Sequence, residues 1–477
     1  MTSTTTAVDA GQPQATEPEA TASALKSSGG LLTRHWAAMN RWGLALFDQA
    51  VVSGSRFLIS IVVGRTAGPD ELGRYAIAFY VLVLLGCVQE ALLTTPFAIC
   101  SPRLRKRSKA ALGDGVVVLH VMLIVSVAWV GLAAVGIAAI LPTSPETFRM
   151  IAALAIAAPL SLMWEFARRM MLAQLRVVHA TVIDVVAALL QLAGLTALAQ
   201  SAQLDGATAL AAVGIGCALP AMIYAWRLRP RNWPRYVRMY WGRNWQLGKW
   251  VMGSQLARAI SSLIPVWFVA ALASDREAGM LAACMNIPMI SNPFIFAIGN
   301  LLMPKAAHAY SDHGVRAVVR LVLGAIAGMA IVLVPLGLVL AVAGDRILEI
   351  TYGPEYADQG VALAILGLCP MLWAATSAIG CGQAALKDTR ASFAATITGI
   401  VVTALAIAML APQWRALGGV TGLAIGSAAM CALQIWQFWK RCQELAGDPR
   451  PASAANSNRA GYGKSPSLMD VAVPDDL

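Results

Sequence analysis

Four side chains in this sequence sit where an apolar helix should hold none. Asp48 and Arg56 fall in the first long apolar run, Asp184 in a later one, and Arg258 in the second half of the chain. An ionisable group inside hydrocarbon costs about 2.5–3.5 kcal/mol on insertion scales, so it normally faces a polar interior and marks a path or a site. The chemistry these types offer is binding rather than bond breaking. A guanidinium presents a planar fork of donors, stays charged at any working pH, and matches the oxygens of phosphate. A carboxylate in the same setting binds a proton or Na⁺. Asp48 and Arg56 are about 12 Å apart along a helix, too far to be partners. Arg56 and Arg258 lie at similar depth in separate helices and together read as an anion site; Asp48 and Asp184 read as candidates for ion coupling. Glu90 and Glu165 lie nearer helix ends, where they can reach water, and Glu165 has Arg168 and Arg169 at helical spacing.

The elements that position these groups follow from composition. The chain has 477 residues, 58% hydrophobic and only 13% charged, with a mean hydropathy of +0.65. A soluble domain carries about 25% charged residues. Apolar runs of about 20 residues recur along the chain, the length that spans a ~30 Å hydrocarbon core. The expected fold is all-α: a polytopic membrane protein of about twelve spanning helices. The first runs over Trp42–Gly64, a short fourth over Met150–Phe166, an eighth over Met280–Met303, a ninth over Leu321–Ala343 and the last over Val420–Phe438.

Charge sets an expected orientation. Odd-numbered loops hold only Arg65, Arg74, Arg149, Arg276, Arg346 and Arg415; apart from Arg56 and Arg258, the rest of the 36 Lys and Arg fall in the even-numbered loops and the tails. Basic loops stay cytoplasmic, which places both termini there. The densest blocks are Pro102–Lys109 and Arg227–Trp250; the second interleaves Trp and Tyr with Arg, a pattern suited to the headgroup layer. Because the basic residues are loop signals and no basic domain stands apart, the net charge of +11 does not point to nucleic acid. The eight cysteines form no C-x-x-C pair, and the five histidines are scattered, so neither a disulfide framework, a metal site nor a cofactor is implied.

The basic central block divides the chain into matching halves. "DELGRYAIAF" from Asp70 parallels "REAGMLAACM" from Arg276, with Glu71 on Glu277, Gly73 on Gly279 and Ala76 on Ala282. "LLTTP" at Leu92 parallels "LLMP" at Leu301. Six helices per half put both halves in the same orientation, a repeat about an axis along the membrane normal. The expected units are a tail at 1–41 without fixed structure, a six-helix bundle at 42–226, a basic interfacial linker at 227–249, a second six-helix bundle at 250–439, and a second such tail at 440–477.

These features resemble the polysaccharide transporters, the Wzx-type lipid-linked oligosaccharide flippases of the MOP superfamily. The residues that carry the resemblance are "GRTAGPDELGRYAIAF", with Gly68, Pro69, Gly73 and Tyr75 on the family pattern, and the turn "YGPEYA" at Tyr352–Ala357. It extends from about Trp42 to Phe438. The resemblance implies two bundles around a cavity that opens alternately to each side. It also implies a bacterial inner-membrane location and a cargo of polyprenyl-diphosphate-linked oligosaccharide, whose diphosphate Arg56 and Arg258 would lead through the cavity. Membrane lipids, a polysaccharide polymerase and glycosyltransferases are the implied partners. Two other classes stand against it. A MATE-like ion-coupled exporter of small cationic compounds shares the superfamily fold, but wants deep acids without competing arginines. A membrane enzyme of sugar transfer needs a sizeable loop or soluble domain, and the longest outer loop expected is only Gly344–Gly360, with no D-x-D pair in a loop.

Overall fold

The computed structural model describes residues 17–101, 106–227 and 237–446. Readings on 1–16, on 102–105, on 228–236 and on 447–477 lie outside the described residues. The described chain is helical almost throughout. The helices are α1 (Glu17–Gln89), α2 (Thr95–Cys100), α3 (Lys106–Ile140), α4 (Pro145–Ala173), α5 (Val177–Gln200), α6 (Gly206–Arg227), α7 (Val237–Leu272), α8 (Asp275–Asn286), α9 (Asn292–His313), α10 (Val315–Tyr352), α11 (Gly360–Ala385) and α12 (Thr389–Ala446). A π-turn at Glu90–Thr94 joins α1 to α2, and a 3₁₀ turn at Pro288–Ser291 joins α8 to α9.

Ten stretches are long and apolar enough to cross a membrane. Two of them, Phe47–Cys100 at 54 residues and Arg390–Leu445 at 56, are more than twice the length one crossing needs. Each is broken once by a residue in the left-handed region, Gly68 at φ 85° and Arg415 at φ 50°. Gly68 adopts that conformation freely because it has no Cβ, and Pro69 then restarts the helix at a fixed φ. Each long stretch is thus two antiparallel spans, and the described residues make twelve crossings, as the apolar runs lead one to expect.

The differences from expectation have physical reasons. The fourth span is full length, because Ser144 caps α4 by accepting the N–H of Thr147 at 3.2 Å and the helix runs on through Arg168 and Arg169. Their charges depress the hydropathy but not the helix. The eighth span is broken at Pro288, which cannot donate a helical hydrogen bond. The ninth helix continues to Tyr352, bending at Ala343, so the expected outer loop Gly344–Gly360 is mostly helix and a 3₁₀ turn. Asp345 then caps α11 by accepting the N–H of Gly360 at 2.5 Å. Helix α1 begins at Glu17, inside the segment expected to lack fixed structure; Ala, Leu, Lys and Glu there favour helix. Similarly, residues 237–249 of the expected linker are the first turns of α7, and 440–446 continue α12, with Arg441 and Glu444 paired at 3.1 Å.

The repeat read from the sequence is a repeat of structure. Glu71 accepts the N–H of Gly206, the first residue of α6, at 2.8 Å. Glu277 accepts the N–H of Ala416, which begins the second arm of α12, at 3.1 Å. Each glutamate therefore satisfies an orphan donor at the start of the last span in its own half. The paired glycines meet each other. A Cβ on Gly73 would overlap the Asp275 carbonyl, and one on Gly279 would overlap the Pro69 carbonyl, so the backbones touch across the pseudo-two-fold axis.

At this Gly68 face the two bundles are closed upon each other. Tyr352, buried, shares a 2.6 Å hydrogen bond with the Ser60 hydroxyl, and the Asn286 amide donates to the same oxygen at 2.8 Å. Tyr356 donates to the Gly64 carbonyl at 3.3 Å. Arg74 bonds Asp275 at 3.2 Å, and Arg276 reaches Asp70 and Glu355 at 3.5 and 3.6 Å. Those ion pairs are partly exposed and contribute little each. The apolar core behind them holds the closure: Ile59, Val63 and Leu72 of one bundle form one cluster with Leu281, Leu363 and Leu366 of the other.

Candidate functional site

Behind this closure, the first bundle encloses a cavity of about 170 Å³. Helix α1 contributes Arg56 from its first arm and Tyr75 and Phe79 from its second; the π-turn contributes Glu90, α4 contributes Trp164, Glu165 and Arg169, and α5 and α6 contribute Gln191 and Cys217. The Arg56 guanidinium carbon lies 5.7 Å from the centre of the Phe79 ring, in reach of a cation–π contact. Among the described residues it has no ion pair. The Trp164 indole N–H is buried without a partner. The cavity thus offers one unpaired cation and an unused donor beside it.

Glu90 and Glu165 line the same cavity, whereas their places near helix ends lead one to expect groups that reach for water. Arg169 holds both, with Nη1 2.7 Å from Glu90 and Nε 2.6 Å from Glu165. Of its two expected partners, Glu165 bonds directly to Arg169 and feels the charge of Arg168 without a direct contact. Consecutive residues on a helix point about 100° apart, so Arg168 faces another way.

Arg168 turns into the bundle and gathers the two aspartates singled out in the sequence. Its Nη2 donates to Asp48 at 2.9 Å and its Nε to Asp184 at 2.6 Å. All three are buried, with side-chain exposures of 10%, 4% and 0%. Asp48 thus has a partner 120 residues away that the sequence reading did not name. A signal for half of it was present. Arg168 lies about 7.5 Å before the end of α4 and Asp184 about 10 Å into α5, so a short α4–α5 turn brings them to one depth. The second oxygen of each aspartate is buried without a partner. One guanidinium facing two carboxylates leaves these three side chains with a formal charge of −1 in a low-dielectric interior.

Arg258 lies on α7, but its side chain is outside the described residues, so its proposed meeting with Arg56 is left to the sequence reading. The second bundle has its own cavity, about 110 Å³ between α7, α8, α11 and α12. Ser261, Thr396, Thr403, Ser427 and Trp373 line it with methionines, and no charged side chain is among its lining within the described residues. Among the described residues, the first-bundle cavity is thus the charged one of the two.

Comparison with known proteins accords with this arrangement. Residues 62–360, more than half of the chain, match the family described as "Polysaccharide biosynthesis protein". A search of curated proteins finds no match. Among solved structures, the inward-facing conformation of a multidrug resistance MATE family transporter of the MOP superfamily superposes with a TM-score of 0.69 at 14% identity, covering 84% of this chain and 96% of that one. The lipid II flippase MurJ in an inward closed conformation gives 0.65 at 12% identity, covering 87% and 94%. A MOP superfamily transporter from Pyrococcus furiosus Vc1 (DSM3638), for which reverse polarity of the binding pocket suggests a different function, gives 0.58 at 14%, covering 85% and 95%. At such identities these likenesses establish the fold. The chain belongs to the polysaccharide biosynthesis protein family, and it is a multi-pass membrane protein built on the two-bundle fold of the MOP superfamily.

Proposed function

We propose that this protein flips a polyprenyl-diphosphate-linked oligosaccharide from the cytoplasmic to the periplasmic leaflet of a bacterial inner membrane, supplying exopolysaccharide, O-antigen or capsule synthesis. The observation that carries this reading is the unpaired Arg56 guanidinium in the first-bundle cavity. A free cation there favours an anionic group, and the diphosphate is the charged part of such a cargo. No bond is broken. The bundles, 42–226 and 250–439, rock about their interface, and the Gly68 face opens as the opposite face closes. Arg258 is the proposed contact from the second bundle. The segment 227–249 is the proposed interfacial linker between them, lying in the headgroup layer of anionic lipids. Glycosyltransferases that build the cargo and a polymerase that consumes it are the expected partners.

Orientation follows from the basic loops: both termini are cytoplasmic and the Gly68 face is periplasmic. Reporter fusions at Gly360 and Leu445 should read periplasm and cytoplasm respectively. The same compartment for both would overturn the topology.

The Asp48–Arg168–Asp184 cluster is the proposed coupling site. Its two orphan carboxylate oxygens and its unbalanced charge are what a coupled proton or Na⁺ would satisfy. The test is flux of lipid-linked oligosaccharide in proteoliposomes, with and without an imposed ion gradient. The wild type should move the lipid, faster with the gradient. Asp48→Asn should retain a basal rate and lose the acceleration. An Asn variant that still responds fully to the gradient excludes Asp48 as the coupling group, and a wild type that moves no lipid excludes the flippase itself.

A second reading has one observation in its favour. Glu90 and Glu165 line the same cavity, and acids attract the small cations of a MATE-like exporter. Both are already engaged by Arg169, however, which leaves Arg56 as the charge free to meet a ligand.

A further inference from the structure

The cavity holds a second guanidinium whose partners are arranged in an unusual way. Arg169 offers Nε to Glu165 and Nη1 to Glu90, both below 2.8 Å, so two of its donors, on different edges of the guanidinium, each meet a carboxylate oxygen. The two acids reach it from different elements. Glu165 lies one turn away on the same helix, an ordinary i, i+4 pair. Glu90 comes from the other side of the cavity and heads the π-turn, in which the Thr95 N–H bonds to the Glu90 carbonyl five residues back. A π-turn is a rare insertion that rotates the residues before it relative to those after it, and such turns recur at functional sites. Here it sits where Glu90 meets Arg169. The arginine side chain is about one-third exposed, at 31%, so it borders the cavity rather than being sealed behind it.

The charges of the cavity lining state what an anion would encounter. Arg56 and Arg169 contribute two positive charges, Glu90 and Glu165 two negative ones. A diphosphate brings more negative charge than Arg56 alone balances. We propose that Arg169 is a second phosphate-binding residue, masked by Glu90 and Glu165, each of which holds one of its donors and gives it up when a diphosphate enters. This deepens the anionic-cargo reading and rests on it. Once Glu165 releases Nε, the parallel Nε and Nη2 donors form the bidentate edge that suits a phosphate. Trp164, whose indole N–H is buried without a partner, also lines the cavity. The carboxylates also set selectivity. An anion must outcompete them for Arg169, so a diphosphate engages both arginines and a monophosphate engages Arg56 alone.

The experiment compares two probes on the purified full-length chain in nanodiscs, farnesyl diphosphate and farnesyl monophosphate, with the melting temperature of every variant recorded. Arg169→Ala should weaken diphosphate binding on the order of tenfold, as for loss of a charged hydrogen bond, and weaken monophosphate binding by clearly less. Arg169→Lys, without the fork, should recover only part of the loss. The paired variant Glu90→Gln/Glu165→Gln keeps acceptors of the same shape but removes the competing charge, and should tighten diphosphate binding several-fold. An arginine that serves only to hold the acids predicts the reverse: the Gln pair lowers the melting temperature and does not tighten either probe. That result overturns the proposal even if Arg169→Ala does not fold. Loss of both probes in Arg56→Ala, with an unchanged diphosphate preference in the Arg169 variants, would reject the masked arginine and leave the anionic-cargo reading intact. Indifference of both probes to Arg56→Ala would reject that reading itself.

Discussion

Arg168→Met is expected to destabilise this protein by about 3–5 kcal/mol, the usual consequence of removing one partner from a buried ion pair. The reason is the geometry around Asp48 and Asp184. Their side chains are 4% and 0% exposed, and Arg168 is the cation that reaches both, at 2.9 and 2.6 Å. Without it, two carboxylates are left facing each other in a low-dielectric bundle. They cannot both stay ionised there, and neither gains a new donor. The loss should appear as a lower melting temperature in detergent and a lower level in the membrane. Adding Asp48→Asn and Asp184→Asn to the same chain should restore most of it, because the neutral amides no longer need the guanidinium. A Met variant that melts with the wild type would show that water or lipid headgroups solvate the aspartates, and the enclosed triad would have to be abandoned.

That triad also shows where a sequence stops being readable. The twelve crossings are legible because hydropathy is a local property, summed over about 20 residues and indifferent to tertiary contacts. The repeat is legible for a related reason. Glu71 and Glu277 each cap the last span of their own half, and Gly73 and Gly279 each make room for the other backbone, so both halves carry the same residues at the same offset. Asp48 and Asp184 are legible as anomalies, since burying a charge is costly wherever its partner is. The partner is not. Arg168 stands 120 residues from Asp48, and their meeting depends on the rotation of α4 against α1, which no local pattern encodes. Glu165 illustrates the opposite error. Its i+4 neighbour is its true partner, yet that local explanation hid the fact that the pair faces a cavity. The π-turn at Glu90 was invisible for a third reason. Its residues, Glu-Ala-Leu-Leu-Thr, suit an α-helix equally well, so the extra residue is imposed by packing.

Arg56 should behave in the opposite way to Arg168, and the contrast is the sharper test of function. Among the described residues Arg56 pairs with no carboxylate, and its side chain borders the cavity and the Phe79 ring. Its removal takes one attractive charge from Glu165, which keeps its 2.6 Å ion pair to Arg169. Arg56→Ala is therefore expected at wild-type level in the membrane and with a near wild-type melting temperature. Its rate of lipid-linked oligosaccharide transfer should nonetheless fall by about 10- to 100-fold, the range for losing charged hydrogen bonds to a phosphate. Arg56→Lys keeps the charge but offers a compact ammonium in place of the fork, and should fall between the two. In cells the Ala variant should accumulate polyprenyl-linked precursor on the cytoplasmic side while the protein itself is abundant. The melting temperature separates a binding residue from a structural one, and the Lys variant separates fork geometry from net charge. Normal export in both variants would remove the reason for assigning an anionic cargo. With Arg56 out of account, the two glutamates would become the cavity's most distinctive feature, and export of a small cation would be the better reading.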